Sequence, residues 1–187
     1  MTKVVILYAH PNPASFNHAI LETVQEVLKN CDVTVRDLYA INFPPVLIGS
    51  DFQGKAPEVA KEQEILMSAD FIVVIHPIWW WSFPTILKGY FDRVLSYGFA
   101  YKMGNGKIEG LLTKQKVIVI NTWGNAESNA SDGISAMKAI TNKGIWSFCG
   151  AEVLEHKMFF SVPYVTQQIR QGYLDELKNQ LPKLIHN

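Results

Sequence analysis

Apolar residues fall along this chain in short unbroken runs, separated by stretches with a helical repeat. Lys3–Tyr8, Phe71–His76 and Lys116–Asn121 carry continuous Val/Ile runs without polar alternation. That is the pattern of strands covered on both faces in a parallel sheet. Asp32–Asp37 and Glu152–Phe160 are the other two strand candidates. Between these runs the spacing predicts helices near Asn17–Lys29, Pro57–Met67, Pro84–Ser96 and Asp132–Phe148, with a last one near Thr166–Leu181. Asn17, Pro57, Pro84 and Asp132 serve as caps or first-turn prolines at the helix entries. Alternating strand and helix over 187 residues predicts one domain, 1–187, of the α/β class: an open, doubly wound, five-stranded parallel sheet.

Periodicity does not give strand order, and 3-2-1-4-5 and 2-1-3-4-5 are the common choices. The loops do discriminate. The segment HPNPASFN follows the first strand and PIWWWSFP follows the third. In the order 2-1-3-4-5 these two chemically unusual loops flank the crevice where the strand order reverses, which is where such sheets bind ligands. That order is therefore expected. Ala40–Ala56 and Ala100–Thr113 lack a repeat and are expected to shape or cover the site.

Strand-end loops are normally polar, because their backbone groups need water or partners. Trp79, Trp80 and Trp81, bracketed by Pro77 and Pro84, break that habit and suit a wall for a flat, apolar ligand. A hydrophobic plug or a subunit interface has the same composition. In the first loop Ser15-Phe16-Asn17 enters a helix, whose free N–H groups and positive dipole end attract phosphate. An ordinary cap accounts for the same residues. His10 ends the first strand beside that loop, placed either to touch a diphosphate or to make a structural hydrogen bond. The loop after the fourth strand, Asn121-Thr122-Trp123-Gly124-Asn125, has small and amide-bearing residues that admit a ligand edge close to backbone N–H groups. Together the three loops suit a planar ring with a phosphate tail, and a flavin nucleotide fits that description best.

Composition narrows the alternatives. Lys plus Arg and Asp plus Glu both number 17, so no net field recruits nucleic acid or an anionic membrane, and self-association is unsurprising. No glycine precedes Gly49, which excludes a G-x-G-x-x-G turn or a P-loop after the first strand. No G-x-S-x-G elbow occurs, which disfavours a serine hydrolase. The five histidines, His10, His18, His76, His156 and His186, include no i, i+4 pair, so no metal site is expected. His76 ends a core strand and reads as structural. Cys31 and Cys149 have no metal-ligand spacing and are expected to be small buried residues in a reducing compartment. The first apolar run is too short for a signal peptide or a membrane span, so the chain reads as soluble and cytoplasmic.

HPNPASFNHAI, DLYAINFPPV, SDFQGK, HPIWWWSFPTILKGYFDRVLSYGFAY, NTWG and FCGAEVLE together resemble the flavodoxin-like NAD(P)H:quinone oxidoreductase family over nearly the whole chain. The long segment around the third strand is the specific part of the match. The resemblance implies a bound flavin, NAD(P)H as co-substrate, and hydride transfer to a quinone or similar aromatic acceptor in ping-pong steps. It places His10, Ser15, Phe16 and Asn17 at the flavin phosphates. Pro77, Ile78, Trp79, Trp80 and Trp81 would run along the isoalloxazine, with Trp80 also facing substrate, and Asn121, Thr122, Trp123 and Gly124 would meet its pyrimidine side. Arg170 matches an arginine that contacts the adenine of FAD, which favours FAD over FMN. Phe148 matches an aromatic that a second subunit lays over the ring and the substrate, which implies a homodimer. Members of the mammalian type carry a tyrosine and a histidine proposed to relay charge; Asn129 and Ser135 stand at those positions here. No catalytic acid or base is thereby named, and a flavin-binding regulatory subunit with little turnover remains an alternative.

Overall fold

The computed structural model of the chain describes residues 1–185, so His186 lies outside the described residues. The strands are β1 (Lys3–Tyr8), β2 (Asp32–Asp37), β3 (Phe71–Pro77), β4 (Tyr101–Gly104), β5 (Lys107–Gly110), β6 (Lys116–Thr122) and β7 (Glu152–Phe159). Five of them pair in parallel in the order β2-β1-β3-β6-β7. With the β4–β5 hairpin set aside, this is the 2-1-3-4-5 order expected from the loops.

Every residue of β3 is buried. Alternate residues of the central strands feed two separate apolar layers, as their unbroken hydrophobicity requires. Val5, Leu7, Ile72, Val74, Val117 and Val119 face one layer, and Val4, Ile6, Val73, Ile75, Ile118 and Ile120 face the other. Helices α1 (Phe16–Val27) and α5 (Gln167–Ile185) close the second layer. Helices α2 (Pro57–Ser68), α3 (Thr85–Val94) and α4 (Ser131–Lys138) close the first. The sheet is thus sandwiched between two helical layers, and its carboxyl edge is left to the loops.

Three details depart from the expectations. The helix expected over Asp132–Phe148 is α-helical only to Lys138 and continues from Ala139 to Ser147 as a π-helix. Within the irregular stretch Ala100–Thr113, β4 and β5 pair antiparallel around Asn105-Gly106, whose φ values of 51° and 74° are those of a type I′ turn. Cys149 is buried, but Cys31 is only partly so, because it sits in the turn that delivers the chain to edge strand β2. Among the described residues no helix is long and apolar enough to cross a membrane.

Candidate active site

The loop after β1 is held by its own side chains. The Asn12 N–H donates to His10 Nδ1 at 3.1 Å, and the Ala14 N–H donates to Asn12 Oδ1 at 2.8 Å. Because Nδ1 accepts, the His10 proton sits on Nε2, free to donate elsewhere. Burial holds the His10 pKa below its ordinary value, so the ring is neutral near pH 7. Ser15 is the N-cap of α1, with extended backbone and an Oγ that accepts from the His18 N–H at 3.2 Å. The expected cap, Asn17, instead lies inside the first turn. It is 3% exposed, and its Nδ2 donates to Thr122 Oγ1 at 2.9 Å, while its Oδ1 has no partner.

The loop after β3 reverses sharply. Trp79 and Ser82 exchange backbone hydrogen bonds of 3.0 and 2.9 Å, and Trp80 and Trp81 between them have φ values of 50° and 56°. This is a type I′ turn built from two tryptophans, where glycine or asparagine is the usual occupant. Its effect is to separate the three indoles. Trp79 faces inward with its ring centroid 5.7 Å from that of His10. Trp80 is 96% exposed, and Trp81 packs against Gly133 on α4. A β-carbon at Gly133 would come within 3.0 Å of Trp81 and 3.1 Å of Trp123, so glycine is what lets both rings lie down there.

The loops after β6 and β7 are stitched together. The Trp123 N–H donates to Phe159 O at 2.8 Å, and the Val162 N–H donates to Trp123 O at 3.0 Å. The Trp123 indole N–H donates to Asn121 Oδ1 at 2.8 Å.

These loops enclose a cleft of about 320 Å³. Of the residues proposed from sequence, His10, Ser15, Phe16, Asn17, Pro77, Ile78, Trp79, Thr122, Trp123 and Gly124 line it. Val162 and Pro163 also line it and went unnamed in the sequence reading; the sign was their place just past the carboxyl end of β7, the strand beside β6. Trp80 and Trp81 instead border a smaller neighbouring cavity with Ile78, Trp123, Gly124 and Asn125. Asn121 is fully buried, its side chain occupied by Trp123 and His156. Arg170 lies behind the cleft, where its Nε donates to Val162 O at 3.1 Å and steadies the loop. Phe148 is remote from this cleft, packed 5.1 Å from the ring of Tyr101 beside a separate cavity. Asn129 and Ser135 are both exposed and line none of it. Among the described residues no three His, Cys, Asp or Glu side chains stand together as a metal site.

The cleft has hydrogen-bond donors and a helix N-terminus at one end and an apolar wall at the other. A family model described as a flavodoxin-like fold matches residues 2–181. An uncharacterized NAD(P)H oxidoreductase of Haemophilus influenzae is 35% identical over 181 residues, covering 91% of this chain and 90% of that protein. The chain belongs to the flavodoxin-like NAD(P)H:quinone oxidoreductase family. Another member of this family, the rat NAD(P)H dehydrogenase [quinone] 1, is 30% identical over 208 residues, 96% of this chain and 76% of the rat protein. Among solved structures, the NAD(P)H:quinone oxidoreductase of Methanothermobacter marburgensis superposes with a TM-score of 0.85 at 26% identity, covering 95% of this chain and 94% of that one.

Proposed function

We propose that this family member is a flavin-dependent oxidoreductase that passes a hydride from NAD(P)H to a quinone or similar aromatic acceptor, in two-electron, ping-pong steps. The supporting observation is Asn17. Asn17 lines the cleft, and its buried Oδ1 lacks a donor. A buried acceptor left unpaired is costly, and the hydroxyls of a ribityl chain are donors of the right kind for that position. In this reading Ser15, the first amides of α1 and the Nε2–H of His10 hold the phosphates. Pro77, Ile78 and Trp79 lie along the ring, and Thr122 and Gly124 meet its polar edge. The Trp123 N–H is already taken by Phe159, which leaves Gly124 as the amide donor of that loop. A bound flavin supplies a centre that accepts two electrons from nicotinamide and yields them to the acceptor. The apolar wall would exclude water from a ring held there, and no side chain of the cleft is proposed as acid or base.

FAD is the favoured form, with FMN the alternative, because Arg170 matches the adenine-contacting arginine of the family and holds the Val162–Pro163 loop that lines the cleft. Phe148 is too far from its own cleft to cover a ring there, so its part in substrate binding requires a second copy, and a homodimer is proposed. The purified protein is expected to be yellow, and the mass of the extracted cofactor identifies FAD or FMN. NADH and NADPH oxidation with a quinone acceptor then measures turnover. Colourless protein that stays flavin-free on addition of FAD and FMN rejects the reading, and bound flavin without turnover supports the regulatory alternative. Light scattering on the eluting protein should give twice the 21.1 kDa chain mass; a monomer would remove the role given to Phe148.

A further inference from the structure

A chain of buried hydrogen bonds leads from the cleft into the π-helical segment, and its polarity has one solution. It begins at the Trp123 indole N–H, which can only donate, here to Asn121 Oδ1 at 2.8 Å. That contact fixes the flip of the Asn121 amide and turns its NH2 toward His156 Nε2, 2.7 Å away. An NH2 group can only donate, so Nε2 must be the bare nitrogen and the ring proton must sit on Nδ1. Nδ1–H then donates to Asn142 Oδ1 at 2.7 Å, on the π-helix. Each link dictates the next, and Asn121 has no access to water that could substitute for a lost partner. π-Helical turns within helices often accompany functional sites. Here that segment contributes the residue that clamps the far side of the imidazole.

We propose that His156 is a positioning residue: as a neutral Nδ1–H imidazole held by Asn142, it locks Asn121 in the one orientation that anchors the Trp123 indole at the cleft. A protonated ring would present N–H groups on both sides, oppose the Asn121 NH2 and release the indole. Burial, then repulsion from His76 and Lys138, lowers the His156 pKa to about 3, which keeps the neutral form in place at ordinary pH. The consequence for ligand binding rests on the flavin reading above; the anchoring itself does not.

The test is made first on flavin-free protein labelled with ¹⁵N, where the Trp123 indole N–H resonance is identified by its loss in Trp123→Phe. His156→Leu is expected to shift that resonance and speed its exchange with solvent at least ten-fold. His156→Gln, whose Oε1 can accept from Asn121, should restore most of the protection. Asn142→Ala removes the outer clamp without entering the core and should give the same change at smaller amplitude, so a failure of His156→Leu to fold leaves the question answerable. An unmoved resonance in both His156→Leu and Asn142→Ala, or a His156→Gln protein as exchange-labile as His156→Leu, overturns the proposal. In the second stage the dissociation constant for FMN or FAD should rise about ten-fold in His156→Leu and recover in His156→Gln. Wild-type protein that binds neither flavin would sink the functional reading while leaving the indole result standing.

Discussion

Two adjacent tryptophans in left-handed backbone are the most unusual residues here. A non-glycine residue in that region costs roughly 1–2 kcal/mol, and such strain persists where surrounding structure holds it in place, often at functional sites. Trp80 and Trp81 are held by the reciprocal Trp79–Ser82 hydrogen bonds and by the Gly133 contact. Replacing the pair by Asn-Gly, the residues favoured in this turn, is expected to stabilise the fold by about 1–2 kcal/mol in urea unfolding. Trp79→Ala should act oppositely on function: it strips the cleft wall, and the flavin dissociation constant is expected to rise ten-fold or more. Equal flavin retention in Trp79→Ala and wild type would count against the wall assignment. Reading WWW as one continuous wall follows from composition, but a turn that reverses between its members leaves one indole facing the cleft. Nothing in Trp-Trp signals a type I′ turn, whereas Asn105-Gly106 signals one openly; there the flanking strands are too short and polar for periodicity to expose them.

At the scale of elements, the junction of β1 and α1 separates structural from binding roles. Ser15 caps α1, so Ser15→Ala should cost about 1 kcal/mol of stability. Ser15→Asp keeps a good cap and adds charge favourable to the helix dipole, so stability should hold or rise. The same charge repels a phosphate, and flavin affinity should fall at least ten-fold. A Ser15→Asp protein that purifies with its full complement of flavin would show that no phosphate lies at this helix end. The three central strands were legible because buried strands announce themselves as unbroken Val/Ile runs, and the helix entry at this junction because it is polar, although the cap is Ser15 and Asn17 lies inside the first turn. The switch from α to π geometry after Lys138 was not. Hydrophobic spacing near four residues cannot distinguish an i→i+4 from an i→i+5 ladder, and the segment's tertiary contact, Asn142 to His156, leaves no trace in local spacing. The fastening of Val162 to Trp123 was hidden for the same reason, since it depends on which strands are neighbours.

For the whole molecule, strand order concentrates polar residues at the carboxyl edge of the sheet and some of them end up in the core. β3 and β6 set His76 opposite Asn121, which in turn bonds His156 from β7. His76 Nδ1–H donates to Pro77 O at 2.9 Å, yet complete burial still lowers its pKa to about 4. An unfolded histidine titrates near 6.5, so below that pH the unfolded chain binds protons that the folded chain refuses. Stability is therefore fully present above about pH 6.5 and declines as pH falls toward 4. The shift at His76 corresponds to a loss of about 3 kcal/mol across that window, with His156 adding to it down to about pH 3. Repulsion from His76 is already part of what lowers His156, so the two imidazoles titrate as a coupled pair. Urea unfolding followed from pH 7.5 to 4.5 should show this decline. His76→Gln, which can keep a donor toward Pro77 O but cannot titrate, should flatten it by about half while lowering stability at pH 7.5 only modestly. A wild-type slope that persists unchanged in His76→Gln would mean that acid sensitivity arises elsewhere, and that the histidine at the centre of the sheet is tolerated in its charged form.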